Sequence, residues 1–234
     1  MFNTIRRKWE LLRSCISYVA KEYKWRDRSK YGLWDKTATM MKPVDLTALS
    51  RLYLYPFSRI QPGLNFISYK GKLIVKSYSA IGANATVITG NHVPTVGIPE
   101  FFLGTSHIND VEDDIIVEEG AWVGANVTLL RGAKIGRGAV VGACSLVNKE
   151  IPPYAVAVGM PAKIIATTYT LDQVIDHEKI LFEEKDRLSV EYLRDLYESR
   201  YKGLKSIGTD NIDPSNLKKA EGIKAYIAQN RRSV

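Results

Sequence analysis

Two cysteines in 234 residues leave no disulfide framework: Cys15 and Cys144 stand far apart, and a reducing compartment fits such sparing use. Only three histidines, His92, His107 and His177, offer a side chain whose ordinary pKa lies near neutrality. No apolar run approaches the roughly 18 residues of a membrane-spanning helix, which argues against an integral helical protein. The basic cluster Arg6-Arg7-Lys8 is followed by neither a compact apolar stretch nor a small-residue cleavage site, so it does not read as a signal peptide. A cytoplasmic location is expected. Acidic excess is lacking too: residues 1–60 carry thirteen Lys and Arg against five Asp and Glu, which is the whole net charge of +8. Residues 61–234 hold twenty of each sign. A basic N-terminal quarter could face an anionic membrane or another polyanion, or be plain solvated surface.

What the chain does contain is a short repeat. An aliphatic residue returns every six positions at Val117, Val123, Leu129, Ile135, Val141 and Val147, in the blocks VEEGAW, VGANVT, LLRGAK, IGRGAV and VGACSL. A period of six builds neither an amphipathic helix nor an alternating strand. The chain must turn a corner once per block, with the aliphatic residue inward and a small residue at the bend. Three blocks close a triangular coil, and coils stack at about 4.8 Å. The predicted fold is an all-β core, a parallel β-helix, with helical appendages.

Three regions follow. Residues 1–32 form an amphipathic helical segment, with Ile5, Trp9, Leu12, Ile16, Val19 and Tyr23 on one stripe. Packing on the protein's own body or a sister subunit is the plain reading of that stripe; a membrane surface is the rival. Residues 33–166 hold the coils, irregular at first and legible from Val75, Ile81 and Val87. Within them a non-repeating loop, residues 93–110, carries Pro94, Gly97, Pro99 and Gly104, the composition of a projecting functional loop. The prolines at Pro152-Pro153 are expected to stop strand addition. Residues 167–234 read as helices, opened by the capping pair Thr170 and Gln173, by Ser189, and by Asp213-Pro214. His177, between Asp176 and Glu178, reads as a solvated surface residue.

His92 and His107 flank the loop. A histidine where a rigid coil gives way to a loop can serve as a general base, or can cap a corner through its ring hydrogen bonds. Position alone does not choose between them.

The block GNH, the loop, and then DDIIVEEGAWVGANVTLLRGAKIGRGAVVGACSLVNKEIPPYAVAVGMPAKII strongly resembles the hexapeptide-repeat acyltransferases, above all the galactoside, maltose and capsular-polysaccharide O-acetyltransferases. The resemblance covers about residues 60–166. It implies a left-handed parallel β-helix, a homotrimer, and acetyl-CoA as donor without a metal. It implies an acceptor hydroxyl on a small-molecule or lipid-linked saccharide, and so a place in polysaccharide biosynthesis. By position His92 matches the catalytic base. Trp122 matches the aromatic at the pantetheine arm. Ala125 and Ala143 match main-chain partners of that arm, with Gly124 and Gly142 keeping the wall low. Asn148, Lys149 and Lys163 match the segment that meets the nucleotide phosphates, although several relatives carry arginine at the place of Lys163. Asn91 is a candidate oxyanion donor, His107 a candidate lining of the acceptor pocket, and Glu100 and Asp110 candidates for orienting an imidazole. The loop sequence GIPEFFLGTSHIND departs from the sugar-specific relatives and leaves the acceptor open.

Other classes remain to be weighed. A hexapeptide coil can also form a carbonic anhydrase, which needs three imidazoles around zinc. The repeat region supplies two, with no histidine pair five or fewer residues apart, so no metal is expected. N-acylation of an amino sugar needs the same base and donor and stands second. A non-catalytic, polyanion-binding trimer stands third, and nucleic acid is not an expected partner. Residues 1–25 could add peripheral contact at the inner face of the membrane.

Overall fold

A chain that turns at each sixth residue visits three walls in rotation, and here it does so through five coils. The computed structural model describes residues 2–230, without the side chains of residues 2–5, 21, 22 and 24. The first wall stacks Leu33–Trp34, Leu52–Leu54, Leu73–Val75, Ile115–Val117 and Lys134–Ile135 in parallel. The second holds Thr39–Met40, Arg59–Ile60, Ala80–Ile81, Trp122–Val123 and Val140–Val141. The third holds Val44–Leu46, Leu64–Ile67, Thr86–Ile88, Thr128–Leu130 and Leu146–Val147.

Inward residues stack in columns because parallel strands lie in register. Phe66, Val87, Leu129 and Val147 are successive partners on the third wall, and all are buried. Burying each such side chain stabilises the coil by about 1.5–3 kcal/mol before entropy is counted. The coils start at Leu33, so the stretch that reads as irregular is two complete turns. Their length hides the period. Leu33 pairs with Tyr53, 20 positions on, and Tyr53 with Ile74, 21 on, whereas Ile116 and Lys134 are 18 apart.

Corners demand a left-handed backbone. Gly120, Asn126, Gly132, Gly138 and Cys144, six apart, have φ of 65°, 56°, 72°, 62° and 60°. Glycine and asparagine tolerate this region, whereas a side chain such as cysteine costs roughly 1–2 kcal/mol there. Replacing Cys144 by Asn, the residue that Asn126 supplies one coil below, is therefore expected to stabilise the protein by about 1 kcal/mol. Thermal unfolding would read it as a rise of a few degrees, and an unchanged or lower Tm would contradict it.

The prolines do not end the sheet. They break the hexad phase, but Ala155–Val158 still pairs in parallel with Val140–Val141, and Lys163–Thr167 then pairs antiparallel with it. A proline can precede a strand whose own amides remain free to pair. Helix α1 (Phe2–Arg26) precedes the coils, α2 (Glu100–Ser106) lies in the loop, and α3 (Leu171–Leu181), α4 (Val190–Ser199) and α5 (Leu217–Asn230) follow. The capping box of Thr170 and Gln173 forms, Ser189 caps α4, and Asp213 caps the short turn that leads into α5.

Helices α3 and α4 close the last coil around a buried polar knot. The Tyr154 hydroxyl donates to Glu178 Oε1 at 2.5 Å. Arg137 Nη1 and the Leu188 amide donate to Glu178 Oε2 at 3.0 and 2.9 Å. Arg137 also reaches Glu119 and stacks over Phe182. His177 is not the solvated residue its acidic neighbours suggest. It is half-buried against the rings of Tyr169 and Tyr154, and that burial lowers its pKa.

At the other end, α1 is anchored by buried Trp25. Trp9, Leu12, Ile16, Val19 and Tyr23 stay exposed, so the stripe does not pack on the chain's own body. The side chain of Ile5, which belongs to the same stripe, lies outside the described residues. No helix among the described residues is long and apolar enough to cross a membrane.

Candidate active site

The loop leaves the prism at the corner between the third and first walls. Its stem is a two-residue antiparallel pairing, Gly90–Asn91 with Val111–Glu112, so Asn91 is engaged in the stem opposite Val111. Glu112 ties that stem to the coil. Its carboxylate accepts from the Tyr69 and Gly71 amides at 3.0 and 2.7 Å and from the Thr89 hydroxyl at 2.7 Å. Burial opposes its charge, but these hydrogen bonds together hold its carboxyl below the ordinary value.

The loop is not wholly irregular. Pro99 stands at the N-cap and Glu100 in the first turn of α2, signals too short to register as a periodic segment. The helix ends at His107, whose φ of 55° and amide bond to Leu103 return the chain toward the stem. That turn brings three candidate residues together. Asp110 accepts from His92 Nδ1 through Oδ1 and from His107 Nδ1 through Oδ2, each at 2.7 Å. The Asp110 side chain is 6% exposed and that of His92 44%.

Electrostatics fix the protonation pattern. The hydrogen bonds from His92 and His107 lower the Asp110 pKa, so it is a carboxylate and can only accept. Both Nδ1 atoms therefore carry hydrogens. Asp110, first through that hydrogen bond and then through its charge, raises the His92 pKa, with smaller help from Glu100 and Glu112. In neutral His92 the lone pair then sits on Nε2. This nitrogen faces α2 at Gly104, where an added Cβ would come 3.7 Å from Nε2 and meet nothing else within 4 Å. Glu100 acts on His92 only through space; no hydrogen bond joins them among the described residues.

His92, His107 and Asp110 also place one ligating atom each within 4.8 Å, the one such group among the described residues. Sequence spacing hides this, since the histidines are fifteen residues apart. The two short hydrogen bonds already use the facing atoms.

The second set of candidates follows the coils. Trp122 projects from the second wall, 58% exposed. Ala125 and Ala143 sit one coil apart at the corner between the second and third walls. Gly124 and Gly142 answer to stacking rather than to a ligand: a Cβ on Gly124 would fall 2.6 Å from the Ala143 amide, and one on Gly142 would meet Val158 Cγ1 at 2.7 Å. Asn148 is exposed on the exit segment. Lys149 and Lys163 line one open depression of about 520 Å³ together with Arg200 and Glu150. Arg200, at the end of α4, carries no sequence signal for such a role; only the fold of the C-terminal helices brings it there.

Comparison with known proteins agrees with this architecture. Residues 114–149 match the family described as bacterial transferase hexapeptide (six repeats). A chloramphenicol acetyltransferase of Morganella morganii is 31% identical over 115 residues, covering 44% of this chain and 55% of that protein. A galactoside O-acetyltransferase of Lactococcus lactis is 34% identical over 92 residues, covering 39% and 42%. The chain thus spans about half the length of such relatives. Among solved structures, a hexapeptide-repeat acetyltransferase of Vibrio cholerae aligns with a TM-score of 0.55 at 21% identity, covering 63% of this chain and 80% of that one. A maltose O-acetyltransferase of Clostridium difficile 630 aligns at 0.53 and 23%, covering 60% and 71%. The coil region is a left-handed parallel β-helix of hexapeptide repeats, the fold these solved structures share.

Proposed function

We propose that the protein transfers an acetyl group from acetyl-CoA to a hydroxyl of a sugar or surface-polysaccharide precursor, with His92 as general base. The observation that carries this reading is the His92–Asp110 pair: one imidazole nitrogen held by a covered carboxylate, the other, on a partly exposed ring, without a hydrogen-bonding partner among the described residues. The Nε2 lone pair takes the acceptor proton as the hydroxyl oxygen attacks the thioester carbon. The C–O bond forms, the C–S bond breaks, and the thiolate leaves; with a pKa near 8.5 it needs no strong acid. The imidazolium then returns its proton to the sulfur. Asp110 stabilises the imidazolium while it exists.

The basic depression of Lys149, Lys163 and Arg200 suits the phosphates of the donor, and exposed Trp122 suits its apolar arm. A hydroxyl acceptor draws support from the galactoside O-acetyltransferase likeness. The deciding experiment incubates acetyl-CoA with a panel of sugars and amino sugars and follows free thiol. Release with hydroxyl acceptors supports the reading, release with amines alone replaces it by N-acylation, and silence across the panel overturns both.

We propose further that the site is shared between copies in a homotrimer. The Ala125 and Ala143 corner and the His92 corner lie at opposite edges of the third wall. About six residues at roughly 3.3 Å each separate them along the wall. A neighbouring copy closes that gap. Light scattering is expected to give three chains per particle; a monomer in an active preparation would contradict it.

The exposed stripe of α1 we assign to an anionic membrane surface. Lys8 and Arg13 flank the stripe, so parallel self-pairing would set like charges against each other. Each basic residue near anionic lipid contributes about 1 kcal/mol, screened by salt. Co-sedimentation with phosphatidylserine-containing vesicles is expected at low salt and should vanish when residues 1–25 are removed. A full-length protein that ignores such vesicles would leave a sister subunit as the partner of the stripe.

A further inference from the structure

We propose that His107 is a positioning residue: it fixes Asp110 and occupies one of its two carboxylate oxygens, so that His92 is oriented by the other. The proposal rests on the reading of His92 as the base. One carboxylate here serves two imidazoles at equal distance, 2.7 Å on each side. Its side chain is nearly covered and has no further hydrogen-bonding partner among the described residues, so those two contacts determine its place.

His107 is the better anchored of the two partners. Its backbone is held as the C-cap of α2, and its ring lies on Tyr69 with centroids 3.9 Å apart and planes 4° from parallel. The Tyr69 amide is bonded to Glu112, which also grips Gly71 and Thr89 of the coil. A continuous path therefore runs from rigid coil to base: Glu112, Tyr69, His107, Asp110, His92. Through it a loop side chain acquires the fixed geometry that proton transfer requires.

Sharing also sets how strongly Asp110 acts on His92. A donor on Oδ2 stabilises the carboxylate and draws off part of its charge. Without that donor the undivided charge faces His92, alongside Glu100 and Glu112, and the imidazole keeps its proton to higher pH. The base would then be idle over a wider range below neutrality. The same argument separates orientation from mere loop pinning, because the stacking and the hydrogen bond can be removed one at a time.

His107→Phe keeps a ring for Tyr69 and loses the donor. His107→Asn keeps a donor near Nδ1, tolerates the left-handed backbone and loses the ring. The test measures kcat/KM for the acceptor between about pH 5.5 and 9.5 in both variants, with a ring-proton NMR titration of His92. For His107→Phe the acid limb and the His92 titration should both move up by about one pH unit, so that the rate on the acid side of the limb falls roughly tenfold. For His107→Asn, which gives up the Tyr69 contact but keeps the donor and the αL C-cap, both curves should move far less than in His107→Phe. Unmoved curves in His107→Phe, or loss in His107→Asn alone, would overturn the proposal in favour of loop pinning. A change confined to the acceptor KM would overturn it in favour of direct contact. His92→Ala, run alongside, separates the two levels: full activity there removes the underlying assignment, whereas an inactive His92→Ala with an unmoved His107→Phe removes only the positioning role.

Discussion

His92→Ala should lower turnover at least about a hundredfold, the usual contribution of a general base, while acetyl-CoA binds as before. The base acts on the acceptor proton, and the donor is proposed to lie along the coil wall. The loss should therefore appear in kcat with the donor dissociation constant unmoved. Direct titration of acetyl-CoA against both proteins, with thiol release at saturating substrate, measures the two effects separately. The pH profile carries a second signature. Because Asp110 raises the His92 pKa, the wild-type acid limb should lie above the ordinary imidazole value near 6.5, activity falling as pH drops through it. Asp110→Asn should move that limb downward. Near-wild-type turnover in His92→Ala would end the proposed mechanism.

The largest effect on stability is expected from Glu178→Ala. The carboxylate is 2% exposed and is the common acceptor for Arg137, the Tyr154 hydroxyl and the Leu188 amide. Its removal leaves the fully buried Tyr154 phenol and the Leu188 amide without their acceptor and takes one of two carboxylates from Arg137, which keeps Glu119. Two buried groups left unsatisfied, with one ion pair lost beside them, cost about 3–5 kcal/mol together. For a chain of this size that corresponds to a fall in Tm on the order of 10 °C. Differential scanning calorimetry would detect it, and a loss of only a degree or two would show that the knot is dispensable. Glu178→Gln keeps an acceptor and should lose less.

The prism was legible because its rule is local: one aliphatic residue inward and one small residue at a bend, six positions apart from Val117 to Val147. The first two coils obey the same packing but run to 20 and 21 residues, so their phase drifts and the eye loses it. His92 stood out by its place at the coil–loop junction, and Asp110 was legible only as one acid among two. Nothing local distinguishes it from Glu100; the left-handed turn at His107 makes the choice. Arg200 and the surroundings of His177 depend on how α3 and α4 fold back over the last coil, contacts between residues far apart in sequence. The seven residues of α2 fell between the period of a helix and the composition of a loop.

The two-residue stem under the loop has a consequence for what this architecture can become. Because Gly90–Asn91 and Val111–Glu112 close on each other, the coil below and the coil above stack as though nothing stood between them: Leu73 still pairs with Ile115. The segment between His92 and His107 is thus a cassette, free to lengthen, shorten or be exchanged without disturbing the columns of the core. Selectivity for an acceptor and thermal endurance become separately adjustable quantities. Chimaeras that graft a foreign segment between His92 and His107 should keep the melting behaviour of the parent while changing what it acts upon.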